Sequence, residues 1–201
     1  MMVLKVVQEI ISRHPSLTGA RLEPVPGLDA GRIAKLTTGN VSGFVKWGTD
    51  SIGRALSAEH AGLITLRTAL HPLKIPSVIQ FFPGDRSTPT ILILEWLDRH
   101  RPSHEYSERL GHGLAALHRN TLIDGYGSES DNFIGQTEQK NGIFSSWTTF
   151  FRDSRLKPMQ EYIQNKGYWR NSWSAPFDSL LDHLAEYIPA KPTSSKHRHH
   201  R

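Results

Sequence analysis

The chain has 201 residues, a formal net charge of +5 and no Cys, with 37% hydrophobic and 21% charged residues. That length can bury a sizeable core, and the composition excludes a disordered chain, a disulfide framework, a thiolate metal site and a Cys nucleophile. The lack of Cys fits a reducing, cytoplasmic setting. No apolar run approaches the roughly 20 residues of a membrane span, so no membrane partner is expected. Lys5, Gln8 and Glu9 interrupt the apolar start, which argues against a signal peptide.

Val3, Leu4, Val7, Ile10 and Ile11 recur at helical spacing, and His14-Pro15 closes that predicted helix. Short extended segments follow at Leu22 to Val25, Arg32 to Thr37 and Gly43 to Trp47, with turns at Gly27-Leu-Asp-Ala-Gly31 and Thr38-Gly-Asn40. Residues 54–70 read as a helix with Leu63, Leu66 and Leu70 on its apolar side. Two more strands, Ser77 to Phe82 and Thr90 to Glu95, flank a polar turn. After Trp96-Leu97 the pattern turns helical: Ser103 to His118 with Leu110, Leu114 and Leu117 on one face, Trp147 to Ile163, and a last stripe from Phe177 to Ile188. Between Asn120 and Asn141 no period is evident. The organisation expected is a small sheet with one or two helices, then an all-helical part, with a boundary near 97–102.

Lys196, Arg198 and Arg201 supply three of the five net charges, and the same ending holds three of the eleven His. A disordered or artificial tail is the expectation. A nucleic-acid or metal-binding appendage is the alternative, but no matching basic stripe occurs elsewhere, so a nucleic-acid partner is not expected.

Lys46 sits in the strand pattern Phe44-Val-Lys-Trp47. A lysine there can run its stem along apolar surface to solvent. It can also hold phosphates if an acidic partner orients it. Glu59, thirteen residues on in the next helix, is such a partner. The preceding Gly27 to Gly31 loop could cover phosphates with its backbone N–H groups, although a Gly-x-x-x-Gly spacing is a weak signal. The apolar run Ile91 to Leu97 ends at the boundary between the two parts. In a nucleotide-binding lobe, backbone groups of Glu95, Trp96 and Leu97 would read the base edge there.

Phe-Val-Lys-Trp47, Glu59, Leu-Ile-Leu-Glu-Trp-Leu97, Leu-Gly-His-Gly-Leu-Ala-Ala-Leu-His118 and Asp131-Asn-Phe-Ile-Gly135 occur in an order that resembles the fructosamine kinase (ketosamine-3-kinase) family. Asn141-Gly142, Trp147, Phe150-Phe151 and Arg155-Leu-Lys-Pro158 continue the likeness, which covers about residues 15–190. The resemblance implies an α+β, protein-kinase-like fold related to aminoglycoside and choline kinases. A small antiparallel-sheet N-lobe with a helix would span 1–97 and bind nucleotide. An incomplete helical C-lobe on the substrate side would span 98–190, and a basic His-rich tail 191–201. The implied activity is phosphate transfer from ATP to a sugar hydroxyl of ketosamines, either small amines or glycated proteins.

By that resemblance Lys46 anchors phosphate, Glu59 is its helix partner, Gly27 to Gly31 cover the phosphates, and Glu95 to Leu97 form the adenine hinge. Gly31 stands where a polar residue is expected. Asn132, Phe133 and Gly135 lie either close to the substrate or in a rigid loop needed for packing. His118 is read as a hydrogen-bonded structural histidine.

The family's chemistry also needs a His-Gly-Asp segment, a following Asn, and an Asp that holds Mg²⁺. None of the Asp residues, at 29, 50, 85, 98, 124, 131, 153, 178 and 182, follows His-Gly. Where the resemblance places that segment, the chain reads Pro189 to Ser195 and then Lys-His-Arg-His-His-Arg201. The expectation is therefore a family member cut short before its catalytic segment, with no catalytic residue, no metal ligands and little or no kinase activity alone. A nucleotide- or partner-binding pseudokinase is the alternative; an aminoglycoside- or choline-type kinase is a further one, against which the Asp-Asn-Phe-Ile-Gly block weighs.

Overall fold

A computed structural model describes residues 2–28, 32–39, 41–69, 71–98, 101–120 and 124–188. Leu70, Gly31, the linker from Pro189 and the basic tail lie outside the described residues. The chain forms two compact units, Met1–Leu122 and Ile123–Arg201.

The first unit is built on a five-stranded antiparallel sheet of order β1-β2-β3-β5-β4. Its strands are β1 (Arg21–Pro24), β2 (Ile33–Thr38), β3 (Val41–Gly48), β4 (Val78–Phe82) and β5 (Thr90–Glu95). Strand alternation sorts the side chains onto two faces. Ala34, Leu36, Val45, Trp47, Ile91 and Ile93 form one buried cluster with Val7 and Ile11 of helix α1 (Met2–Ser12). Gln8 ties this helix to the sheet, donating to the Ala20 carbonyl at 2.7 Å and accepting the Leu22 N–H at 3.1 Å. On the opposite face Leu92 and Leu94 pack with Leu56 of helix α2 (Asp50–Thr68). β5 is thus covered on both faces, which is why it reads as an unbroken apolar run.

Helix α2 begins four residues before the predicted start, because Thr49 leaves the strand in an extended conformation and the helix follows at once. Helix α3 (Tyr106–Arg119) belongs to the same unit. Of the apolar face predicted for it, Leu117 is half-buried, whereas Leu110 and Leu114 are exposed.

The second unit is not all-helical. The stretch that shows no period contains two antiparallel ribbons, β6 (Tyr126–Ser128) with β9 (Gly142–Phe144), and β7 (Asn132–Ile134) with β8 (Thr137–Gln139). Three-residue strands are too short to display alternation, so this segment reads as loop. Helices α4 (Trp147–Phe151) and α5 (Lys157–Asn165) are joined by a π-helical turn at Arg152–Leu156, and α6 (Ser174–Asp182) and α7 (Leu184–Tyr187) follow. Ser146 caps α4 by accepting the Thr149 N–H. Among the described residues of the second unit, Phe150, Leu181 and Leu184 are the buried hydrophobics.

Candidate functional site

Lys46 lies on β3 and Glu59 on α2, and the packing of that helix against the sheet brings Nζ within 2.6 Å of Glu59 Oε1. Both side chains are about one-third exposed, so the pair is neither a buried cross-link nor a loose surface contact. An ammonium held in this way retains donors for an incoming anion. The pair opens into a cavity of about 570 Å³, within the usual size of small-molecule sites. Val25, Pro26, Leu28, Phe44, Pro76 and Leu94 form much of its apolar lining, and Glu95, Trp96, Leu97 and Asp98 close one end.

Gly27 lies between Pro26 and Leu28, which with Val25 line the cavity. Its φ is +78°, and the Leu28 N–H donates to the Val25 carbonyl at 3.2 Å. Pro followed by a glycine in the left-handed region is the signature of a type II turn, so the loop is pinned rather than open. Gly31, its expected second glycine, lies outside the described residues.

At the closed end the three expected hinge residues behave differently. The Glu95 N–H donates to the Ser77 carbonyl at 2.8 Å, and the Trp96 N–H to the Ser42 carbonyl at 3.2 Å. Among the described residues no backbone acceptor takes the Leu97 N–H. The Glu95 carboxylate accepts Lys74 Nζ at 2.6 Å and the Ser77 N–H at 3.1 Å. These contacts, the Lys74 hydrogen bond foremost, hold its pKa below the ordinary value. Trp96 donates its indole N–H to Asp98 at 3.0 Å. Sequence reasoning missed Lys74, Ser77, Asp98 and Phe44. Only Phe44 left a signal, since it stands two strand positions before Lys46 and so shares its face.

In the second unit Asn132 and Phe133 lie on β7, and Gly135 turns that ribbon with φ +59°. The Asn132 Oδ1 is buried and has no hydrogen-bond partner among the described residues. Asp131 accepts Lys140 Nζ at 2.7 Å and the Asn141 N–H at 2.9 Å. Arg155 donates to Asn141 Oδ1 at 2.7 Å and to the Lys140 carbonyl at 3.1 Å, binding this ribbon region to the π-helical turn. His118 is exposed in the last turn of α3.

The family model for fructosamine kinase matches residues 3–195. The chain belongs to the fructosamine kinase family. A "Probable ketoamine kinase" of Synechocystis is 34% identical over 121 residues, 60% of this chain and 40% of the relative. A "Probable ketoamine kinase" of Vibrio cholerae is 29% identical over 168 residues, 83% of this chain and 57% of the relative. The chain thus spans about half the length of these fructosamine kinase relatives. Among solved structures, a "Putative fructosamine-3-kinase" from Haemophilus somnus superposes with a TM-score of 0.72 at 21% identity, covering 93% of this chain and 63% of that one. One from Thermobifida fusca gives the same TM-score at 24% identity, covering 91% and 63%. At those identities the likeness speaks for the fold. The α+β, kinase-like class expected from the sequence is the one found, with its antiparallel sheet and helices.

Proposed function

We propose that this fructosamine kinase family chain carries the nucleotide-binding lobe of a ketoamine kinase, whose full activity is transfer of phosphate from ATP to a sugar hydroxyl of ketosamines. The observation that carries the reading is the Lys46–Glu59 pair opening into a 570 Å³ cavity. ATP fits the residues present: a cation held by a carboxylate at one end, an apolar middle, and the Leu97 N–H without a backbone acceptor among the described residues at the other. When bound, ATP supplies the transferable phosphoryl group. The Lys46 ammonium meets phosphate oxygens, Glu59 keeps it aimed, and Val25, Pro26 and Leu28 of the turn around Gly27 line the same cavity. Glu95 enters as an anchor of the closed end through its carboxylate.

Mg²⁺ is expected for the family. Among the described residues no group of three or more His, Asp or Glu could hold a metal ion without the nucleotide's phosphates, and no step is assigned to one. Because no Asp of the 201 residues follows His-Gly, the second reading is nucleotide binding without turnover by this chain alone. The acceptor, a small ketosamine or a glycated protein, comes from the family; the cytoplasmic setting rests on the lack of Cys. Asn132, Phe133 and Gly135 are proposed on the acceptor side, where the orphaned Asn132 Oδ1 supports a polar role.

Calorimetric titration of the 201-residue chain with ATP, beside a magnesium-dependent ketosamine phosphorylation assay, tests both readings. ATP binding without turnover supports them together. Normal turnover overturns the inactivity of this chain, and no binding of ATP overturns the nucleotide-binding reading.

A further inference from the structure

Helix α3 has 14 residues, and a helix of roughly 12–15 residues is marginal in water unless an apolar face is covered. On one side Gly113 lies against Leu73, where an added Cβ would come within 2.7 Å of Leu73 Cγ. Elsewhere in the first unit no strand or helix packs along α3 among the described residues. Leu110 and Leu114, one turn apart, are exposed, as is Tyr106 one turn earlier. Gly111 and Ala115 beside the two leucines are exposed as well, so a second backbone can approach closely there. The charges say which partner fits this face. Glu108 lies in the first turn and Arg119 in the last, both exposed. Three turns apart, they stand on the same flank of the helix, beyond Gly111 and Ala115. A second α3 laid antiparallel brings each first turn beside the other copy's last turn. Glu108 of each copy then meets Arg119 of the other, and the helix dipoles oppose. A parallel arrangement would set like charges together instead.

We propose that α3 is a self-docking surface, through which two copies of this chain pair antiparallel about a two-fold axis. Leu110 and Leu114 supply the apolar contact, and the two Glu108–Arg119 pairs set the orientation. This contact is independent of the nucleotide reading. One helix pair buries less than the about 1,600 Å² of a standard interface, so the dimer is weak and dissociates on dilution.

Sedimentation velocity of the 201-residue chain, from low to high micromolar concentration, tests this. The wild type should pass from monomer to dimer and no further, since a two-fold contact closes on itself. Leu114→Glu should stay monomeric while keeping the circular dichroism of the wild type. Glu108→Arg alone and Arg119→Glu alone should each weaken the dimer about tenfold, and the double variant Glu108→Arg/Arg119→Glu should restore it. General stickiness of apolar surface produces no such restoration. A wild type that is monomeric throughout overturns the proposal, as does open-ended aggregation. A dimer that Leu114→Glu leaves intact overturns it too, because the contact then lies elsewhere. A double variant no tighter than the single ones overturns the antiparallel pairing. Should Leu114→Glu fail to fold, the charge series, at exposed positions, decides alone.

Discussion

Lys74 Nζ lies 2.6 Å from Glu95 Oε1, and this contact joins the connection between α2 and β4 to the last residue of β5. Ser77 completes the junction from both sides: its N–H reaches the Glu95 carboxylate and its hydroxyl accepts Arg67 Nη1 at 2.7 Å. The end of the cavity is therefore fastened to the helix that carries Glu59.

Because these contacts lower the Glu95 pKa, they stabilise the fold above the unfolded value near 4.5 and are lost as pH falls through the depressed folded value. Glu95→Gln should accordingly lower the urea midpoint at neutral pH, and the gap to the wild type should close in acid. Urea titrations at neutral pH and at about pH 3 check this. A gap of constant size would show that the carboxylate's charge is not what matters.

The Lys46–Glu59 pair makes a prediction about affinity. Lys46→Met should weaken ATP binding by on the order of 10- to 100-fold, the loss of a charged hydrogen bond to phosphate. Glu59→Gln should weaken it less, since the ammonium remains but is no longer aimed. The double variant should lose no more than Lys46→Met alone, and full additivity would mean that the two residues act independently.

Gly111 and Gly113, two residues apart on α3, should respond in opposite directions. A Cβ on Gly113 would meet Leu73 Cγ at 2.7 Å, whereas one on Gly111 would meet nothing within 4 Å. Gly113→Ala should destabilise the chain by about 1–3 kcal/mol through overpacking. Gly111→Ala should stabilise it by up to about 1 kcal/mol, the helix-propensity difference. Thermal melts of the two variants decide whether α3 docks on Leu73 as described.

Arg155 should tolerate no conservative replacement. Besides Asn141 and the Lys140 carbonyl, its guanidinium donates to the Ser154 carbonyl at 2.7 Å and lies 4.6 Å from the Phe150 ring centroid. A lysine cannot reproduce that fork, so Arg155→Lys should cost about 1–3 kcal/mol, read from the urea midpoint. A neutral result would mean that the contacts between Arg155 and the 140–141 segment contribute nothing to stability.

Much of this was legible in the sequence where spacing carries geometry. The alternation through Gly43 to Trp47 and the apolar run through Ile91 to Leu94 correspond to β3 and β5. A lysine in a strand with a glutamate in the next helix correspond to the 2.6 Å pair. The ribbons at β6 to β9 were not legible, because strands of three residues offer no period and glycines such as Gly127, with φ +123°, interrupt them.

By itself the sequence determined the family, through motifs in order, and the two faces of the sheet, through period-2 alternation. Only the tertiary structure decided which polar groups face the cavity and which are engaged elsewhere. Glu95 stands among the hinge residues by motif, yet its carboxylate is taken by Lys74 and Ser77. Trp96 is held by Asp98 and Lys35, so that its ring meets Phe44. The physical reason is one of range. Local spacing fixes the direction of a side chain relative to its own strand or helix. The choice of a hydrogen-bond partner depends on angstrom-scale distances between segments that meet only when the chain has folded.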